Sequence, residues 1–215
     1  MTYSTTAIVL RTRAIREADR LYTVLTPERG KLELLGQGTR KGTSKLAGGM
    51  SIPAVLDLHV ARGKVVDRVA GVEITRPFIW TTLTAQAAGQ AWFALVEQTI
   101  KHGKADRALF DRAVSVADRI GVSSDVLDAA AWQLLDVLGY RPRLDACHEC
   151  GRRDALVVFD PRGGGALCMS CRPRIVDDRP LLTLNASPAA LKAYLAEHLG
   201  LPWRGREVFE AVVSV

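Results

Sequence analysis

Alternation of apolar and polar positions dominates the first third of the chain. Thr6-Ala7-Ile8-Val9-Leu10 and Leu21-Tyr22-Thr23-Val24-Leu25-Thr26 predict two strands. Pro27-Glu28-Arg29-Gly30 supplies turn chemistry, with proline setting the first corner and glycine free to take positive φ. In a third strand, 31–35, Leu32 and Leu34 alternate with Lys31 and Glu33. A fourth, 52–60, puts Leu56, Leu58 and Val60 on one face and Asp57 and His59 on the other. A turn at 61–64 leads into a fifth, 65–75, where Gly71 marks a candidate bulge. An open sheet of five short strands leaves edges exposed, and curling into a barrel removes them. The five-stranded OB-fold is the common solution at this size, and an SH3-like barrel is its nearest rival. Between strands three and four, residues 36–49 hold five glycines, three cations and no acid, which predicts a mobile loop hung on the barrel.

From Thr81 the period becomes helical. One helix is expected over 83–102, with Trp92, Leu95, Val96 and Ile100 facing inward and Gly103 closing it. A second, 106–120, stops at Gly121; a third, 125–138, is capped by Ser123 or Ser124 and followed by Gly139. Ser187 and Pro188 form a cap and first turn for a helix reaching His198 and stopping at Gly200, and a last one spans 206–213. Trp92 and Trp132 read as helix-core residues. The expected fold class is therefore α+β. A barrel domain over 1–80 precedes a helical domain over 81–215, within the length that one large or two small domains require.

Charge changes the picture because it is uneven. Of a net +6, residues 1–80 carry thirteen Lys/Arg against seven Asp/Glu, and the rest of the chain is near neutral. A localised excess points to a polyanionic partner, with a solvated positive face as the alternative. The set is Arg11, Arg13, Arg16, Arg20, Lys31, Arg40, Lys41, Lys45, Arg62 and Lys64. OB-folds bind single strands through a barrel face and flanking loops, yet this barrel offers only Tyr3, Tyr22 and His59 for stacking. Many cations with few aromatics imply binding through phosphates, with weak sequence preference and steep salt dependence.

The cysteines carry the sharpest motif. Cys147 and Cys150, then Cys168 and Cys171, form two Cys-x2-Cys knuckles separated by seventeen residues. Such spacing aims two thiolates of each knuckle at one ion about 2.3 Å away, and two knuckles complete the tetrahedral sulfur shell that suits zinc. All four places are then filled by protein, so the expected module at 147–171 is a structural zinc ribbon. A redox reading needs a βαβ context that the flanking sequence lacks, and a disulfide reading needs an oxidising compartment. His148 is a competing ligand that a full thiolate set makes unnecessary. The other histidines, His59, His102 and His198, are scattered, and no nucleophile motif or phosphate loop is present. No catalytic residue is assigned. The most apolar stretch, 83–100, is broken by Gln86, Gln90, Glu97 and Gln98, and the first twenty residues lack the apolar core of a signal peptide. These features predict a cytoplasmic protein without a membrane span.

Several segments together resemble the RecO family of DNA-repair recombination mediators. They are Ala7-Ile8-Val9-Leu10-Arg11-Thr12-Arg13, Glu17-Ala18-Asp19-Arg20-Leu21 and Leu25-Thr26-Pro27-Glu28-Arg29-Gly30-Lys31 at the opening, and Gly38-Thr39-Arg40-Lys41 with Ser44-Lys45-Leu46-Ala47-Gly48 in the basic loop. Leu138-Gly139-Tyr140-Arg141-Pro142, the cysteine knuckles and His198-Leu199-Gly200 extend the likeness over nearly the whole chain. The Ala/Thr-rich segment 77–104 matches no family motif. The resemblance implies an N-terminal OB-fold, a helical domain with a zinc module, and a non-enzymatic role. That role is to bind single- and double-stranded DNA, anneal strands, and help load recombinase onto coated single strands in homologous recombination, in the cytoplasm beside the nucleoid. RecR and the acidic C-terminal tail of single-strand-binding protein are the implied partners, the tail docking on the helical domain. An RNA-binding or ribosome-associated OB/zinc-ribbon protein is the alternative that charge and fold leave open.

Overall fold

A computed structural model describes residues 1–123, 126–174, 181–184, 188–200 and 202–214. Strands β1 (Thr2–Ala14), β2 (Arg20–Thr26), β3 (Gly30–Gly36), β4 (Ala54–Ala61) and β5 (Asp67–Pro77) close into a barrel in the order β1-β2-β3-β5-β4. A short parallel pairing, Leu34 with Asp67 and Leu35 with Arg68, makes the closure. This order, with a helix between β3 and β4, is the OB-fold and settles it against the SH3-like alternative.

The inward row follows the alternation. Ala7, Tyr22, Val24, Leu34, Leu56, Leu58, Val60 and Val69 form the barrel core. Tyr22, expected as a stacking aromatic, is therefore a core residue, because it shares the inward face with Val24 two positions on. Two irregularities in the β4–β5 ladder skip Ala70, beside the expected bulge at Gly71, and Thr75. A third, in β1, skips Leu10, and beyond it Arg11, Thr12 and Arg13 are all exposed.

Residues 36–49, expected as a loop throughout, end in helix α1 (Lys45–Ser51). Ser44 caps it by accepting from the Ala47 N–H at 3.3 Å. Its two glycines argue against a helix on propensity alone. Met50 decides the matter: it is 1% exposed in the barrel core, with Leu46 packed alongside, so burial of one side chain holds the helix.

Helices α2 (Leu83–Thr99), α3 (Arg107–Val122) and α6 (Arg206–Val213) belong to the same compact unit as the barrel, which comprises 1–124 and 205–215. The expected change from strands to helices near residue 80 is present, but compactness divides the chain elsewhere. Trp92 is fully buried in this unit and its indole N–H donates to the Ala113 carbonyl at 3.0 Å. Asp106 caps α3 by accepting from the Leu109 N–H at 2.9 Å. Ser123, expected as an N-cap of the next helix, closes α3 instead, its N–H bonded to the Arg119 carbonyl; Ser124 lies outside the described residues, as does Ser187. No helix among the described residues is long and apolar enough to cross a membrane.

The second unit, 125–204, holds α4 (Val126–Val137), a four-stranded sheet in the order β6-β8-β7-β9, and α5 (Pro188–Leu199). Its strands are β6 (Arg143–Cys147), β7 (Leu156–Asp160), β8 (Gly165–Cys168) and β9 (Leu182–Thr183). Trp132, Phe159 and Tyr194 pack with ring centroids about 6 Å apart, joining α4, β7 and α5.

Candidate nucleic-acid interface and metal centre

The ten candidate cations divide into two groups and one outlier. The first group is assembled where the β1–β2 connection meets the segment after β3. The Arg40 N–H donates to the Ala18 carbonyl at 3.0 Å, and the Gly38 N–H donates to Asp19 Oδ1 at 2.9 Å. Guanidinium N–H groups add two more ties: Arg40 to the Arg16 carbonyl at 2.8 Å and Arg20 to the Thr39 carbonyl at 2.7 Å. These four bonds draw two basic segments, twenty residues apart in sequence, into one end of the barrel. The first half of the expected loop is thus stitched to its neighbour.

Arg11, Arg13, Arg16, Arg40 and Lys41 are exposed there, and Arg20 is half-buried among them. Lys45, also exposed, opens α1 a few residues further on. The acids nearby neutralise the group only loosely: Arg16 lies 3.7 Å from Asp19 and Arg11 3.9 Å from Glu97, and the two arginine side chains stay 71% and 46% exposed.

Arg62 and Lys64 are not part of this group. They sit on the β4–β5 turn, beside the start of β1, where Thr2 pairs with Ala61 and the Arg62 N–H donates to the Met1 carbonyl. Arg29, which the sequence placed only in a turn, joins this opposite end with its guanidinium carbon 4.3 Å above the Tyr3 ring; Arg62 is 5.8 Å from the same ring. Only the pairing of β1 with β2 and β4 brings these residues together, so no local signal marks Arg29. Burial pushes the Tyr3 hydroxyl up to about 12, helped by its 2.8 Å bond to Asp67 and opposed by the two arginines.

Lys31 is the outlier and is corrected here. It is 6% exposed, and its ammonium donates to the Glu97 carbonyl at 2.6 Å. Residues 102–104 lie along the start of β3: the Gly103 N–H donates to the Lys31 carbonyl, and a Cβ on Gly30 would collide with the Lys104 backbone. Burial lowers the Lys31 ammonium below its ordinary value, against the pull of Glu97 and Glu33. The side chain is engaged inside the fold and is not available to a phosphate.

In the second unit each cysteine pair sits in a tight turn. The Gly151 N–H donates to the Cys147 carbonyl at 2.9 Å, and the Cys171 N–H to the Cys168 carbonyl at 3.1 Å. Gly151 takes φ +75°, a conformation that costs a side chain dearly. Pairing between β6 and β8 brings the turns together, with all four Sγ atoms within 4.8 Å of one another. Cys150 Sγ and Cys168 Sγ are 3.7 Å apart. A tetrahedral ion with bonds of about 2.3 Å would set its sulfurs about 3.8 Å apart, so the donor set fits.

Burial raises the Cys147 thiol, but N–H groups of Cys150, Cys168 and Glu149 outweigh it and bring the group down to about 6. Cys168 is likewise lowered: burial opposes the shift, and backbone and thiol donors around Cys171 and Ser170 prevail. Cys171, hydrogen-bonded to Cys150 and buried, goes up to about 12. The four cysteines could hold a metal ion. His148 is turned to other work, its Nε2 lying 3.2 Å from the buried Asp160 carboxylate.

Two family models match the chain, Recombination protein O N terminal over residues 1–78 and Recombination protein O C terminal over 81–187. The chain is also similar to proteins described as DNA repair protein RecO. That of Desulfitobacterium hafniense (strain DSM 10664 / DCB-2) is 30% identical over 205 residues, covering 93% of this chain and 71% of the relative. For Desulforudis audaxviator (strain MP104C) the identity is 31%, over 83% of this chain and 74% of the relative. For a Nocardioides species (strain ATCC BAA-499 / JS614) it is 29%, over 93% and 95%. With both halves matched and such identity maintained across most of each partner, the chain belongs to the RecO family of DNA repair proteins.

Proposed function

We propose that this chain is a non-enzymatic mediator of homologous recombination. It binds single- and double-stranded DNA through phosphates, promotes strand annealing, and helps load recombinase onto coated single strands. The observation that carries the reading is the cluster of Arg11, Arg13, Arg16, Arg20, Arg40 and Lys41 at one barrel end. Strand β1 and the cross-bonded loops fix the backbone that carries these cations, so little backbone ordering entropy is lost when a phosphate backbone arrives. Lys45 extends the same surface, and Arg62 and Lys64 form a secondary site at the other end. Lys31 has no part in it.

The metal in this reading is a structural Zn²⁺ held by Cys147, Cys150, Cys168 and Cys171. The all-sulfur donor set and its spacing support it, and four protein ligands leave no place for water or substrate. RecR and the acidic C-terminal tail of single-strand-binding protein are the partners that family membership suggests, the tail docking on the helices. The place of work is the cytoplasm beside the nucleoid.

The test is an annealing assay on complementary strands coated with single-strand-binding protein, with and without its acidic tail. Acceleration that requires the tail is the expected result. No acceleration with either form overturns the mediator reading. Competition between matched RNA and DNA oligonucleotides separates it from an RNA-binding role, and a clear preference for RNA would replace it.

A further inference from the structure

A cleft of about 550 Å³ opens in the first unit beside the basic barrel end, lined by β1, the end of α1 and α2. Its volume falls within the range of about 300–1,000 Å³ typical of small-molecule sites. Leu10, Met50, Trp80 and Phe93 provide an apolar floor. The two aromatic residues are nearly buried and rigid: their ring centroids are 5.5 Å apart, and the Trp80 indole N–H is bonded to the Ala117 carbonyl at 2.9 Å. Arg11 and Arg20 stand in the lining, together with the polar side chains of Thr12, Ser51 and Gln90.

The phosphate contacts proposed above use the cations and leave this cleft without a role. A duplex cannot enter it, because its bases are paired and stacked. A single strand can offer one base, which has an apolar face, a polar edge, and phosphates on either side. We propose that the cleft seats one unstacked base of a single strand. The base lies on the apolar floor, Thr12, Ser51 or Gln90 meets its edge, and Arg11 and Arg20 hold the flanking phosphates. Charge favours this occupant: Arg11 and Arg20 also belong to the basic barrel end, so the strand's phosphates continue from the cleft onto Arg13 and Arg16. The strands present Tyr3 only at the opposite end, and at this end the aromatic contact is supplied by the uncovered edges of Trp80 and Phe93, beyond the fifth strand. A preference for single over double strands follows, since seating a base from a duplex first costs its unpairing.

The inference rests on the nucleic-acid reading, and the experiment separates the two. Binding of the full chain is measured on a base-bearing single strand and on an abasic strand of equal length, each over a range of salt. The base-bearing strand should bind more tightly by about 5- to 150-fold, the factor that base–aromatic contact supplies per base, with equal salt slopes. Two uncharged fillers at one lining position, Ala94→Leu and Ala94→Met, should each bring the ratio toward one while leaving abasic binding and its slope intact.

Equal affinities in the unaltered protein with a steep slope overturn the base seat and leave phosphate binding standing. Weak binding of both strands with a flat slope overturns both readings. A ratio that survives both fillers places the base contact elsewhere and refutes the cleft. If the fillers spare the ratio but abolish binding of an acidic peptide, the cleft is a peptide seat and the proposal fails.

Discussion

Replacing Arg11, Arg13, Arg16 and Lys41 together by alanine removes four exposed cations from the clustered end. It spares Arg20 and Arg40, whose guanidinium groups tie the Thr39 and Arg16 carbonyls. None of the four removed side chains is buried, and their ion pairs at 3.7 Å and 3.9 Å are loose. Thermal stability should therefore change little, within about 0.5 kcal/mol. Binding should change greatly. If six cations each meet one phosphate, single-strand affinity falls with salt at a log–log slope of about −4, and two remaining contacts give about −1.4. Between 50 and 200 mM salt the unaltered chain would lose about 300-fold in affinity and the variant only about 7-fold. Fluorescence anisotropy on a labelled single strand measures both slopes, and changing Arg62 and Lys64 to alanine serves as the control at the opposite end. An unaltered slope in the fourfold variant refutes the clustered site. A control that flattens the slope equally moves the phosphate path to the Tyr3 end.

Three further outcomes follow from the same geometry. Cobalt substitution should give the spectrum of a tetrahedral all-thiolate centre, and Cys168→Ser or chelation should unfold the ribbon; a spectrum showing bound water refutes the closed site. Met50→Ala should cost about 2–5 kcal/mol in denaturant unfolding, as for other buried methionines, and a loss well below 1 kcal/mol would mean that α1 does not plug the barrel. Tyr3, with a folded-state value of about 12 against an ordinary 10.0, keeps its proton longer in the native state than in the unfolded one. Its contribution to stability is complete below pH 10.0 and is lost as pH rises toward 12. Tyr3→Phe should therefore flatten the alkaline unfolding limb, and the difference in phenolate absorbance should place Tyr3 late; ionisation near 10.0 contradicts the half-buried bond to Asp67.

Period and spacing determined a good deal of this protein by themselves. The five strands lie within a few residues of where alternation places them, and α4 and α5 end beside Gly139 and Gly200 as their composition demands, whereas α2 stops at Thr99, short of Gly103, and α3 runs through Gly121 to Val122. The cysteine spacing likewise foretold a compact sulfur cluster. These features depend on neighbours a few positions away, which is the range over which backbone geometry repeats.

The tertiary structure decided which side chains are free to act. Lys31 resembles its basic neighbours until residues 97–104 fold over β3 and take its ammonium. Tyr22 loses its availability to the barrel interior, and Arg29 gains a place at Tyr3 only through strand pairing. Helix α1 was hidden by its glycines because Met50 earns its stability inside a barrel that local propensity cannot see. The C-terminal helix α6 belongs with the barrel unit, although more than a hundred residues separate them. Apart from Tyr22, whose alternation with Val24 is local, the deciding contact comes from far along the chain and no local window contains it.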